Sequence, residues 1–242
     1  MLKIEILDGK DSIGGTKILI SSNGFSFFLD FGKNFKKYQE FFEEFISPRT
    51  ATGIYDLWKL NLIPKIKNIY REDLFHPNLN ENEREENLIA IFLSHAHLDH
   101  SGFISLIKEN IPVITSSTTI KFLKAIEDIN IETFNQFTEI KKRVWEKESG
   151  EIISVRLKRG GRKKDDDESS EDEKDTKRVF IEIKDDIYTD KIENIKFYSF
   201  KTDHSIFGSL GFFIEIDGKG IAYTGDIRFH GKNRDLSYKF VE

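Results

Sequence analysis

At 242 residues the chain is long enough for one large domain with a sizeable buried core. Apolar residues make up 38% and charged residues 33%, and the net charge of −5 argues against a uniformly basic nucleic-acid-binding surface. The absence of cysteine removes disulfides, thiolate zinc sites and cysteine nucleophiles together. No run approaches the roughly 20 apolar residues that span a bilayer, and the start MLKIEILDGK has a charge at position 3 and no apolar signal core. These features point to a soluble, cytoplasmic protein without a membrane partner; a homo-oligomer stays open.

Residues 2–7 alternate apolar and polar side chains, as a half-buried strand does, and residues 8–15 form a turn-rich break ending in Gly14-Gly15. Two further β-like runs, over residues 17–21 and 25–29, flank Asn23-Gly24, a strong hairpin dipeptide. In the next stretch Phe35, Tyr38, Phe41, Phe42 and Phe45 recur at helical spacing before a stop at Ser47-Pro48-Arg49. Residues 34–87 therefore read as a helical insertion near the site, either shaping a substrate pocket or capping a sheet edge. Residues 88–93 (LIAIFL) are continuously apolar, the mark of a strand buried on both faces.

Beyond it Phe103, Ile104, Leu106, Ile107 and Ile111 fall at helical spacing, residues 112–115 read as a strand, and Ser116 or Ser117 caps a helix carrying Ile120, Leu123, Ile126 and Ile129. Strand, loop, helix, strand, helix is the signature of an α/β fold. Residues 156–178 place a basic block before an acidic one, with too little apolar surface to offset chain entropy, so they read as a charged, disordered insertion. An RNA-touching basic arm is the alternative. Residues 179–183 and 195–200 then read as strands, and residues 210–216 and 220–224 as a hairpin across Asp217-Gly218.

The chemistry concentrates directly after the buried run, in His95, His97, Asp99 and His100. Three of the chain's six histidines lie within six residues. In an extended segment residues two apart point the same way, so His95 and His97 can grip one ion from one side. Asp99 and His100 follow where the chain turns, so they can face a second ion. Imidazole and carboxylate ligands suit Zn²⁺, Mn²⁺ or iron. Two such ions about 3.5–4 Å apart can bridge a water, lower its pKa and clamp a phosphoryl oxygen.

The phrase SHAHLDHSG over residues 94–102 resembles the signature of the metallo-β-lactamase superfamily. FLDFG (28–32), TDHSIFGSLGFFIE (202–215) and YTGDIRFHG (223–231) resemble other motifs of that family, in its order. The resemblance implies an αββα sandwich over residues 1–242 and a hydrolytic site with two divalent ions, zinc first and manganese second. Carried over by position, one ion takes His95, His97 and His204. The other takes Asp99 and His100, Asp226 bridges both, and Asp30 organises the ligands through hydrogen bonds. Asp99, His100 and His204 are the implied catalytic positions. Ser205, Arg228 and His230 are candidates for substrate contact; Ser101 is another, or only a helix cap.

The phrases at 203–215 and 225–231 look most like the ribonuclease J and β-CASP nucleases, which implies single-stranded RNA as substrate. The family's late histidine has no counterpart in these 242 residues. Three explanations stand: the chain is the N-terminal portion of a longer protein that carries a β-CASP domain, which is the favoured one; His230 substitutes; or the second ion binds weakly. Small-molecule ester or thioester hydrolysis, and a metal-binding module without turnover, are the alternative functions.

Overall fold

Three strands open the chain as a meander: β1 (Lys3–Asp8), β2 (Lys17–Ser22) and β3 (Phe25–Leu29). The computed structural model describes residues 1–43, 46–79, 83–129, 134–148, 151–156, 175–185 and 187–242. After β3 come α1 (Phe35–Gln39), α2 (Tyr55–Lys59), β4 (Leu88–Phe92), α3 (Leu98–Ser101), β5 (Val113–Ser116) and α4 (Ser117–Ile129). The second half holds β6 (Glu139–Ile140), β7 (Arg143–Glu148), β8 (Glu151–Arg156), β9 (Thr176–Lys177), β10 (Phe180–Ile183) and β11 (Ile187–Ile192). It ends with β12 (Ile195–Lys201), β13 (Leu210–Ile216), β14 (Lys219–Tyr223) and α5 (Arg234–Val241).

Among the described residues the strands form two main sheets. The first runs β1-β2-β3-β4-β5-β10, antiparallel at its β1 end and parallel from β3 onward. The second is the antiparallel meander β11-β12-β13-β14. Their facing sides bury Ile20, Phe27, Phe92 and Ile114 from one sheet against Phe197, Phe212 and Ile214 from the other. Phe92 is central: its ring lies edge-on to Phe27, Phe197 and Phe212, with centroids 5.2, 5.1 and 5.3 Å away. A second core covers the far side of the first sheet, where Leu123 of α4 packs with Trp58, Ile69, Tyr70 and Ile91. On the far side of the second sheet α5 lays Phe240 against Phe200, centroid to centroid 5.4 Å. Helix, sheet, sheet, helix is the αββα layering expected from the sequence.

Local chemistry explains the hairpins. Asn23 and Gly24 take φ of 49° and 83°, and Asp217 and Gly218 take 51° and 69°. Positive φ at both central residues gives the type I′ twist that a two-residue hairpin needs. The two turns meet across the sandwich, where Asn23 Nδ2 donates to Asp217 Oδ1 at 2.6 Å and the Ser22 hydroxyl donates to the other oxygen. At the start of α4 the Ser116 hydroxyl accepts the Thr119 N–H at 3.1 Å, so Ser116 is the cap.

Two expectations are corrected. The ring periodicity from residue 35 yields only the five residues of α1, and position 45 lies outside the described residues. Tyr38 and Phe42 stack at 4.9 Å while Phe35 and Phe41 stay exposed, so the rings do not share one packed face. The helical pattern at 103–111 becomes a single 3-10 turn, Ile104–Leu106. Its backbone bonds sideways instead, Arg71 N–H to Leu106 O and Lys108 N–H to Ile69 O, both at 2.9 Å, and Phe103, Ile104, Leu106 and Ile107 are all buried. With residues 103–107 buried on every side, the segment gains more from such packing than from amphipathic helix formation.

Residues 34–87 are mostly irregular, with α1, α2 and two 3-10 turns, Thr50–Thr52 and Lys67–Ile69. Their buried side chains, Ile54, Leu57, Trp58, Leu62 and Leu74 among them, build the second core. Of the charged stretch at 156–178, residues 157–174 lie outside the described residues. Its flanks are ordered: Arg156 ends β8, Thr176–Lys177 pairs with β6, and buried Arg178 donates to the carbonyls of Phe137 and Ile107. No helix among the described residues is long and apolar enough to cross a membrane.

Candidate metal centre

Four strands deliver the site, each at its C-terminal end. Asp30 follows β3, residues 94–100 follow β4, His204 follows β12 and Asp226 follows β14. The sheets are drawn together there: Leu210 N–H donates to Ser94 O at 2.9 Å, and a Cβ on Gly225 would lie 2.5 Å from Ser94 Cβ. Gly225, at φ 53°, allows that approach.

Asp30, fully buried and at φ 56°, is the hub. Its Oδ1 accepts the Ser94 N–H at 2.7 Å, while Oδ2 accepts the Ser94 hydroxyl at 2.7 Å and His100 Nδ1–H at 2.6 Å. The Tyr223 hydroxyl donates to the same Oδ2. Ser94 and Tyr223 carry no metal-ligand chemistry, and nothing in their local sequence marks them for this role.

These bonds set the histidine tautomers. The single Ser94 hydroxyl proton goes to Asp30, so the 2.9 Å contact between Ser94 Oγ and His95 Nδ1 requires Nδ1–H to donate. His95 Nε2 is then a bare lone pair. It faces His97 Nδ1 at 3.0 Å, and His97 Nδ1 in turn faces His204 Nε2 at 3.3 Å. His100, donating through Nδ1 to Asp30, points Nε2 toward Asp226 Oδ1 at 3.4 Å and Asp99 Oδ2 at 3.8 Å. The other Asp226 oxygen lies 3.5 Å from His204 Nε2.

Two groups of ligand atoms result, each within 4.8 Å: His95, His97 and His204, and His95, His100 and Asp226. Three converging imidazole nitrogens, beside a carboxylate that reaches both groups, are a donor set that fits divalent cations. Asp99 belongs to neither compact group but stands next to His100. The main chain packs tightly around it: its carbonyl accepts the N–H groups of Gly15 and Thr16 at 2.9 and 3.1 Å. A Cβ on Gly14 would lie 2.4 Å from Asp99 Cβ, and one on Gly32 only 1.6 Å from Asp99 O.

The electrostatics follow from the packing. Burial, reinforced by the neighbouring histidines, pushes His95 down to about 3, so it is neutral and ready to donate a lone pair. Burial also works against the charge on His100, but its bonds to Asp226 and Asp30 outweigh that and hold it up at about 10. Asp226, bonded to His100, is lowered to about 2. Burial lowers His204 as well.

The other expected positions are placed as follows. Ser205 is exposed, its hydroxyl 3.4 Å from His204 Nε2. His230 is exposed on the loop that carries Asp226 and joins neither group. Arg228 is paired in bidentate fashion with Asp203, Nε to Oδ2 at 3.1 Å and Nη2 to Oδ1 at 3.0 Å. Ser101 donates to the carbonyls of Ala96 and His97 at 3.0 and 3.1 Å, holding the ligand loop closed.

No family model and no curated protein matches this chain. Among solved structures, a protein of unknown function from Enterococcus faecalis V583 is similar over 99% of this chain, with a TM-score of 0.65 and 23% identity. This chain spans 46% of that protein's length. Looser likenesses are the metallo-beta-lactamase fold protein YhfI from Bacillus subtilis and the short form of human tRNase Z. YhfI has a TM-score of 0.46 and 12% identity, covering 93% of this chain and 63% of its own. The tRNase Z has a TM-score of 0.42 and 13% identity, covering 92% and 68%. With its helices outside two packed sheets, the chain is an αββα sandwich that gathers Asp30, residues 94–100, His204 and Asp226 at the ends of β3, β4, β12 and β14.

Proposed function

We propose that this chain is a metal-dependent hydrolase of the metallo-β-lactamase superfamily that cuts phosphodiester bonds in single-stranded RNA. The observation that carries the hydrolase reading is Asp226, whose two oxygens lie 3.4 Å from His100 Nε2 and 3.5 Å from His204 Nε2. A carboxylate reaching two imidazoles of different groups would serve both when ions are bound. His95, His97 and His204 would hold one, Asp99 and His100 the other, with zinc the first choice and manganese the second. Bound there, two divalent ions supply Lewis acidity and a water nucleophile at neutral pH.

The residues divide the remaining work. Asp30, through Ser94 and His100, fixes which imidazole nitrogens face the centre. Asp226 keeps its negative charge between the groups. Asp99 Oδ2, 3.8 Å from His100 Nε2, would complete the second donor pair with that imidazole. Ser205 and His230, exposed on the loops of His204 and Asp226, are the side chains available to an incoming phosphate. The RNA assignment rests on the ribonuclease J and β-CASP likeness of the phrases at 203–215 and 225–231, and on a donor set without thiolate.

The test is reconstitution of metal-free protein with zinc or manganese, followed by 5′-monophosphorylated single-stranded RNA and a panel of esters and thioesters. The expected result is two ions per chain, RNA degradation, and its loss in His97→Ala with the fold kept. Undiminished cleavage by His97→Ala overturns the proposal. Faster turnover of an ester or thioester moves the substrate to a small molecule, and a single ion without turnover makes the chain a binding module.

A further inference from the structure

His204 and Asp226 come from loops that are far apart in sequence. His204 sits between β12 and β13, in a loop closed at its base by Thr202 N–H to Ser209 O at 3.0 Å. Asp226 sits past the end of β14. Their side chains nevertheless stand 3.5 Å apart, and a difference of about 1 Å would change how a shared ion is held.

The residues next to the two ligands join the loops. Arg228 N–H donates to Asp203 O at 2.9 Å, Arg228 Nε donates to Asp203 Oδ2 at 3.1 Å, and Nη2 donates to Oδ1 at 3.0 Å. These three bonds connect the residue before His204 to the residue two after Asp226. Asp203 is buried, with 2% of its surface exposed, so its carboxylate depends on this guanidinium in place of water. Its own N–H donates to the Ser237 hydroxyl at 2.9 Å, which ties the junction to α5. The chain then folds back over the pair at Gly231, where a Cβ would lie 1.8 Å from Asp203 Oδ2 and 2.4 Å from Arg228 Nε. A planar fork with two parallel bonds fixes an angle as well as a distance, which a lysine could not do.

We propose that Arg228 and Asp203 form a clasp that sets the position of His204 against Asp226, so that Arg228 is a positioning residue of the metal centre and does not contact substrate. This rests on the metal-centre reading above, but not on the choice of RNA as substrate. Two observations separate it from a surface ion pair: Asp203 is buried, and each partner is one or two residues from a ligand. Exposed pairs generally contribute little, whereas removing the partner of a ligand-positioning group typically costs about 10–100-fold in metal affinity.

The experiment measures zinc affinity by chelator competition, and the absorption spectrum of the cobalt-substituted protein, for the parent, Arg228→Met, Arg228→Lys, Asp203→Asn and the Arg228→Met/Asp203→Asn double variant. Urea unfolding of each metal-free protein monitors the fold. The expected result is about a 10–100-fold weaker zinc affinity and an altered cobalt spectrum in Arg228→Met. Arg228→Lys, which keeps the charge but loses the fork, should be impaired too, and the double variant should be no worse than the worse single one. If Arg228→Met does not fold, Arg228→Lys decides alone. Parent-like zinc affinity and cobalt spectrum in the folded variants overturn the clasp. So does a variant with intact metal binding whose only defect is a raised KM, because that defect belongs to a substrate contact. A parent chain that binds no metal sinks the metal-centre reading and the clasp with it. A parent that binds metal but leaves RNA intact sinks only the substrate assignment.

Discussion

His100 donates Nδ1–H to Asp30 Oδ2 at 2.6 Å, and that one bond turns the opposite nitrogen, Nε2, toward Asp99 and Asp226. Asp30 is fully buried and collects four donors in all, from Ser94 twice, His100 and Tyr223. A buried carboxylate surrounded by donors is expensive to alter, because each donor left unpaired keeps its desolvation cost. The geometry of these imidazoles is therefore stabilised from below, by a carboxylate whose two oxygens are taken up by four protein donors.

Asp30→Asn makes that dependence measurable. The amide would turn an N–H₂ toward at least one existing donor. We expect a loss of about 3–5 kcal/mol in metal-free stability by urea unfolding, and zinc affinity lower by about 10–100-fold. Parent-like values of both would contradict the role given to Asp30.

Glycine at positions 14 and 32 is required by Asp99. A methyl at Gly32 would lie 1.6 Å from Asp99 O, and Gly14 is held at φ 77° with its added Cβ 2.4 Å from Asp99 Cβ. Gly32→Ala is expected to displace Asp99 and cost about 1–3 kcal/mol. Metal analysis should then find the ion of Asp99 and His100 depleted before that of His95, His97 and His204. Equal retention of both ions would refute the link.

Lys17 gives the fold a pH dependence in the alkaline range. Its ammonium is fully buried near Asp8, 3.2 Å away, and burial pulls it down to about 8 from an ordinary 10.5. Between those two values the unfolded chain binds more protons than the folded one, so the Lys17 contribution to stability rises with pH. His100, held up from 6.5 to about 10, slopes the opposite way. The Lys17 effect is thus read as a difference. Metal-free Lys17→Met should gain on the parent most below pH 8, and that gain should shrink between pH 8 and 10.5. A difference that does not change with pH would show that Lys17 does not titrate in this range.

The sandwich itself rests on Phe92, ringed by Phe27, Phe197 and Phe212. Phe92→Ala is expected to destabilise by about 3–5 kcal/mol in urea. A loss below about 1 kcal/mol would mean that the sheets repack around the gap.

The parts of this protein written in its local sequence are those whose cause is local. The strands at 25–29, 88–92 and 210–216 show as apolar runs, and Asn23-Gly24 and Asp217-Gly218 dictate hairpins because few other dipeptides accept positive φ twice. His95, His97, Asp99 and His100 were legible because four ligand-type residues lie within six positions. The pairing of β7 with β8 was not legible, since RVWEKE is too polar to read as a strand. Residues 103–111 had helical periodicity, yet Ile69 and Arg71 supply their backbone partners, and no pattern within the segment contains that information.

The site divides along the same line. Residue chemistry and spacing nominated His95, His97, Asp99 and His100, and the resemblance of the motifs at 28–32, 202–215 and 223–231 added Asp30, His204 and Asp226. Only the tertiary structure shows that the Ser94 hydroxyl donates to Asp30 while contacting His95 Nδ1, which leaves His95 Nε2 to face the centre, or that Arg228 is committed to Asp203. A side chain's ability to bind an ion belongs to the residue. The nitrogen that faces the centre, and the distance at which it is held, depend on hydrogen bonds between strands up to about two hundred residues apart, which form only when the two sheets close.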